Sequence, residues 1–196
     1  MFKHIICEFL KNNKFMLITT LKTELNCLIT TDLDNINERI KNILNKYDSY
    51  ECKNKRSFED FEIIDDNNIY KIDINVYDIN KSISFPSLLS IQRAKSFLSN
   101  NNNHIIYIFI GHKNNTINKI DVQNIESLDW NYLSIQNLGK GQIQMKNISP
   151  DKLTFNNDVN RKEWLYLLNK KGSEYYDKLI LKITEYKTKW NNELDN

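Results

Sequence analysis

Cysteine is scarce in this chain, and the three present (Cys7, Cys27 and Cys52) are odd in number and show no CxxC spacing. That argues against both a disulfide framework and a cysteine-based zinc site, and it points to a reducing, cytoplasmic setting. Glycine (4) and proline (2) are scarcer still relative to the 196 residues, and no Pro/Gly/Ser-rich linker divides the chain. A single domain over residues 1–196 is therefore expected. Long apolar runs are also missing: stretches such as Ile105 to Ile110 are far too short to span a bilayer. Residues 1–10 contain apolar positions, but Glu8 interrupts them and no small-residue cleavage site follows, so no signal peptide and no membrane partner are expected. Charge of one sign is lacking too. A formal net charge of +2 permits a local basic patch but demands no polyanionic partner. His4, His104 and His112 are dispersed without metal-ligand spacing and read as surface or packing residues.

What is present suffices for a globular fold. Hydrophobic residues make up 40% of the chain and charged residues 27%, which provides a core and argues against disorder. The abundance of asparagine, as in Asn100–Asn103, follows from an AT-rich codon bias and carries no functional weight. Residues 1–50 read as a helical N-terminal part. Ile5, Ile6, Phe9 and Leu10 share one face, and Asp34 is placed to cap a second helix with the stripe Ile36, Ile40, Ile43 and Leu44. From Ser57 the period changes to two: SFEDFEII and IYKIDINVY alternate about Asp65-Asp66-Asn67-Asn68, which predicts a β-hairpin. In the second arm Ile72, Ile74 and Val76 point one way, and Lys71, Asp73 and Asn75 the other. Ser87 is placed to cap a helix with the stripe Leu88, Ile91, Ala94 and Leu98.

HIIYIFIG reads as a strand buried on both faces. Further strands are expected at Lys119–Gln123, and at Leu133–Ile135 and Gln142–Lys146 around the LGKG turn. Residues 160–190 read as C-terminal helices with a break at Gly172. Trp130, Trp164 and Trp190 read as core or interface anchors, and Lys182, Lys187 and Lys189 as a solvated face. The fold class is α/β, a mixed central sheet flanked by helices.

Asp60 and Asp73 sit on the two arms of the hairpin, and pairing across the turn brings them to one end of the sheet. Two close carboxylates repel and lose hydration, which is costly unless a cation lies between them. Mg²⁺ suits oxygen ligands of this kind and usually keeps several waters. Beside a DNA phosphate it would activate a water and stabilise the charge that builds during hydrolysis. Acidic residues on a hairpin are more often a solvated face, so the pair alone carries little.

The order of the surrounding segments adds weight. DFEIIDDNNIYKIDIN (60–75), INKSISFPSLLSIQRA (79–94), LSIQNLGKGQIQMKN (133–147) and NRKEWLYLL (160–168) follow one another. In that order they resemble the PD-(D/E)xK nuclease superfamily, and within it the blunt-cutting type II restriction endonucleases. The likeness covers roughly residues 57–170. It implies a restriction-endonuclease-like domain with a catalytic sheet and recognition loop over 57–147. It also implies a homodimer cutting double-stranded DNA at a short palindromic site with Mg²⁺, and a cognate DNA methyltransferase that protects host sites. Asp60 and Asp73 match the metal-binding pair. Gln136, Asn137, Lys140 and Gln142 fall in the recognition segment, where planar amides can pair with adenine edges and lysine can reach guanine or phosphate. Gln144 alternates with Gln142 on the same side, either supporting the site or recognition loop or forming an exposed strand face, and Lys81, Ser82 and Ser84 read equally as backbone or minor-groove contacts and as an ordinary solvated loop. Glu38 resembles an upstream glutamate that some relatives bring toward the metal.

Two departures stand out. Glu59 replaces the proline of the motif name, and Asn75 replaces its lysine. That lysine orients or deprotonates the attacking water and offsets phosphate charge. An amide can hydrogen-bond but supplies neither the charge nor the base. Three readings of Asn75 stay open: an inactivating change, a tolerated asparagine with the metal dominating, or a displaced lysine, for which Lys71 on the same strand face is nearest. Two other functions stay open beside the nuclease, a non-catalytic sequence-specific DNA-binding relative and a structural or interaction protein.

Overall fold

The computed structural model describes residues 14–44, 60–65, 67–82, 89–136, 141–145, 148–149, 152–156 and 158–194. The helical face expected at Ile5, Ile6, Phe9 and Leu10 lies outside these residues. The described chain opens with α1 (Lys14–Leu25), a 3-10 turn at Asn26–Leu28 and α2 (Ile36–Leu44). The stripe expected for α2 forms, with Ile40, Ile43 and Leu44 buried. Its cap does not fall on Asp34. The first helical bond runs from the Arg39 N–H to the Asn35 carbonyl, and Asn35 adopts φ 57°. Asparagine tolerates that left-handed backbone, so it takes the cap position while Asp34 stays exposed one residue earlier.

The hairpin forms as expected. β1 (Phe61–Asp65) and β2 (Asn68–Asp78) pair antiparallel, closing at Asp65↔Asn68. β2 then runs parallel to β4 (Asn103–Lys113), which pairs antiparallel with β5 (Thr116–Asn124), giving the order β1-β2-β4-β5. Asn114 and Asn115 join β4 to β5 with φ 49° and 63°, the doubly left-handed backbone that a two-residue hairpin favours. The apolar run on β4 is explained by its central place. Ile105, Tyr107 and Phe109 enter one core, while Ile106, Ile108 and Ile110 enter the other with α1 and α2. A parallel neighbour requires a crossover, and residues 79–102 supply it.

That crossover contains β3 (Leu89–Ser90) and α3 (Ile91–Leu98). Ser90, rather than Ser87, caps α3: its Oγ accepts the Arg93 N–H at 3.3 Å. The helix starts three residues later than the hydroxyl of Ser87 suggested, because Leu89 and Ser90 are drawn into a second sheet of order β3-β7-β6, with β6 at Leu133–Gln136 and β7 at Gln142–Met145. Of the expected stripe, Ile91, Ala94 and Leu98 are buried, and Leu88 lies outside the described residues.

The C-terminal part is one helix, α4 (Arg161–Leu194), rather than two. Gly172 does not break it. A Cβ there would lie 3.3 Å from Ile91 Cγ2, so the missing side chain lets α3 and α4 approach. Near its start, Trp164 is fully buried, donates from Nε1 to the Leu128 carbonyl at 3.2 Å and packs in a tilted pair with Trp130 at 5.3 Å between ring centroids. Helices thus cover both faces of a mixed sheet, an α/β architecture. Among the described residues, no helix is long and apolar enough to cross a membrane.

Candidate active site

The antiparallel register fixes where the two aspartates meet. Phe61 pairs with Ile72, so one further step sets Asp60 opposite Asp73 at the open end of the hairpin. Regular pairing stops there, and Asp60 brackets its counterpart instead. Its N–H donates to the Ile72 carbonyl at 2.9 Å, and its Oδ2 accepts the Ile74 N–H at 2.8 Å. The backbone on both sides of Asp73 is thereby tied to one carboxylate residue. Asp73 and Asn75 share a sheet face, both half-buried, and the Asn75 amide donates from Nδ2 to Asp73 Oδ2 at 3.0 Å.

On the neighbouring strand Tyr107 is the register partner of Asp73. Its ring is fully buried, and its hydroxyl has no hydrogen-bond partner among the described residues. Burial, followed by the negative charge of Asp73, holds its phenol well above the usual tyrosine range. Lys71 lies one step along the same strand face, but its ammonium is engaged: it sits 3.5 Å from Glu62 Oε2 and 5.1 Å over the Phe97 ring. A stand-in lysine would have to leave both.

The strands on either side of the expected recognition segment pair with each other. Ser134, Gln136, Gln142 and Gln144 line one face of the β6–β7 ribbon, opposite Leu133, Ile135, Ile143 and Met145, as the alternation required. Gln136 is exposed and donates to Ser134 Oγ at 3.2 Å, while Gln142 and Gln144 are half-buried. Gly141 follows the loop with φ 76° and offers its carbonyl to the Ile91 N–H at 3.0 Å. The positive φ favours glycine, and a Cβ there would lie 2.8 Å from Ile91 Cδ1 and push that methyl aside. Asn137, Lys140 and Ser84 lie outside the described residues. Lys81 and Ser82 are exposed after β2, with Lys81 Nζ 3.4 Å from Asp78 Oδ2. Glu38 is not brought to the aspartates. It is exposed on α2, which packs against the sheet face opposite to Asp73.

Sequence reasoning missed Tyr107 and the anchor at Arg161. The Arg161 guanidinium meets buried Glu126 at 2.8 Å, the Asn100 and Asn101 carbonyls at 3.1 and 2.9 Å, and His104 Nδ1 at 3.0 Å. Arginine has no acceptor, so Nδ1 accepts and the His104 proton is on Nε2. No short-range pattern signals this network, because the contacted side chains lie 35 and 57 residues away.

The donor set suits a hard cation of modest protein ligation. Among the described residues no cluster of three or more His, Cys, Asp or Glu side chains could hold a metal, so an ion here would rest on Asp60 and Asp73 and complete its shell with water and phosphate oxygens. Asp60 Oδ2 accepts the Ile74 N–H, and Asp73 Oδ2 accepts the Asn75 amide. No family model matches the chain, and no curated protein matches it.

Proposed function

We propose that this chain is a Mg²⁺-dependent endonuclease of the restriction type, acting as a homodimer on duplex DNA, with cleavage weakened by Asn75. The observation that carries the reading is the bracketing of Asp73 by Asp60, with Asn75 hydrogen-bonded to Asp73 where the family resemblance calls for lysine. Asp60 and Asp73 would hold the ion. When bound, Mg²⁺ supplies Lewis-acid polarisation of the phosphate and a more acidic water. Asn75 orients a water through its amide but takes no proton from it. The amide face of Gln136, Gln142 and Gln144 and the adjoining Asn137 and Lys140 would read base edges in the major groove. A two-fold dimer would then place one centre on each strand of a palindrome. A cognate methyltransferase belongs to the same proposal.

One observation favours a second reading, sequence-specific binding without cleavage: the Asn75 amide donates to a carboxylate oxygen that an ion would otherwise use. The test incubates the chain with mixed-sequence phage DNA, in Ca²⁺ for gel retardation and in Mg²⁺ for cutting. Discrete retarded complexes with discrete fragments, lost on Asp73→Ala, support the nuclease. Retardation without fragments, even after Asn75→Lys, supports the binding protein. Absence of both contradicts each reading.

A further inference from the structure

The C-terminal helix outruns the body it starts on. Trp164, Leu168 and Gly172 are buried, and Tyr175 and Tyr176 are its last side chains packed against the core. From Ile180 to Asn191 every side chain is exposed, although the helix continues to Leu194. Residues 177–194 span about 27 Å at the α-helical rise. A projecting helix of this length is marginal in water unless one face is covered.

Its apolar residues are not scattered. Leu179, Ile183, Tyr186 and Trp190 recur at steps of four, three and four, the seven-residue repeat that keeps one narrow seam facing a partner helix, and core-packed Tyr176 starts the same register. Ile183, Tyr186 and Trp190 are 57%, 59% and 70% exposed, so the seam is open. Ile180 widens it on one side, and Leu181 lies outside it. The positions flanking the seam carry Lys182, Lys187 and Lys189, while Asp177, Lys178 and Glu185 fall on outer positions and Glu193 follows at the next seam position. Lys182 already leans on the seam, with Nζ 5.8 Å from the Tyr186 ring centroid.

We propose that this seam docks an amphipathic helix of another protein that carries apolar residues at heptad spacing flanked by glutamate or aspartate. The lysine flanks select the partner's charge. Parallel pairing with a second copy would set Lys182 against Lys187 of that copy, and antiparallel pairing would set Lys182 against Lys182 or Lys189, so self-association is opposed in either direction. Duplex DNA would satisfy the lysines but leave Ile183 and Trp190 in water. A lipid surface calls for a broader apolar face than a two-in-seven seam.

The test titrates the full chain into two labelled synthetic peptides with the same Ile/Leu heptad core, one with Glu at both flanks and its twin with Lys. Fluorescence anisotropy is expected to give at least about tenfold tighter binding of the Glu peptide, a difference of about 1.4 kcal/mol. Added salt should weaken that binding. Ile183→Asp and Trp190→Asp, both at exposed positions, are each expected to abolish it. Equal affinity for the twins, no binding of the Glu peptide, or binding that survives both substitutions overturns the proposal. So does a dimer, seen by sedimentation, that Ile183→Asp dissociates, since the seam would then belong to a second copy. Binding to phosphatidylserine vesicles without binding to the Glu peptide would assign it to a membrane and overturn the proposal equally.

Discussion

A single amide occupies one oxygen of Asp73. Asn75 sits one strand repeat from Asp73 and holds it at 3.0 Å, where a lysine would bring a positive charge. Exchange of either aspartate for alanine is expected to abolish Mg²⁺-dependent cutting while leaving the fold intact, with circular dichroism as the control. The residue with most leverage on stability is Arg161. Arg161→Ala removes the 2.8 Å ion pair to the buried Glu126 carboxylate and the contact to His104 Nδ1, which is expected to cost about 3 kcal/mol in a denaturant titration. Arg161→Lys should recover little, because an ammonium cannot reach the same four acceptors in one plane.

Alkaline titration reports on the tyrosines under the sheet. Burial, and then Asp121, pushes Tyr77 to about 12, and Tyr107 is raised through burial and Asp73. An unfolded phenol ionises near 10 while these stay neutral in the folded chain, so their contribution is complete below about pH 10 and is lost as pH rises through the folded values. The denaturant midpoint should fall above pH 10, and Tyr107→Phe should flatten the fall. A single absorbance transition of all tyrosines near 10 would contradict this.

At the scale of elements, legibility followed locality. The β1–β2 hairpin could be read because alternation and turn residues lie within one short window, and it carries both Asp60 and Asp73. The buried run of β4 could be read because a strand flanked on both sides has no polar face to show. Helix starts could not. Ser90 displaced Ser87 as the cap of α3 because Leu89 and Ser90 pair with β7, a strand some fifty residues on, and Asn35 displaced Asp34 through a left-handed turn. Gly172 was misread for a related reason: its absent side chain serves contact with Ile91 of another helix, which no local pattern encodes. Gly172→Val is accordingly expected to destabilise by about 1–3 kcal/mol through overpacking at Ile91, measured as a lowered melting temperature. An unchanged or raised melting temperature would show that the two helices have slack there.

At the scale of the molecule, β2 and β4 form the parallel centre that sets Asp73 beside Tyr107, and the second sheet holds the amide-bearing ribbon next to α3 and α4. This placement of carboxylates on one sheet and planar amides on another is what a nuclease that reads its site would use. If Asn75 limits cleavage as proposed, timing plasmid cutting in Mg²⁺ by the chain and by its Asn75→Lys variant tests it most directly. The account expects discrete fragments from the variant at a rate on the order of 10²–10⁴-fold above the unsubstituted chain. Equal rates would contradict the role given to Asn75, and no cutting by either protein would contradict the nuclease itself.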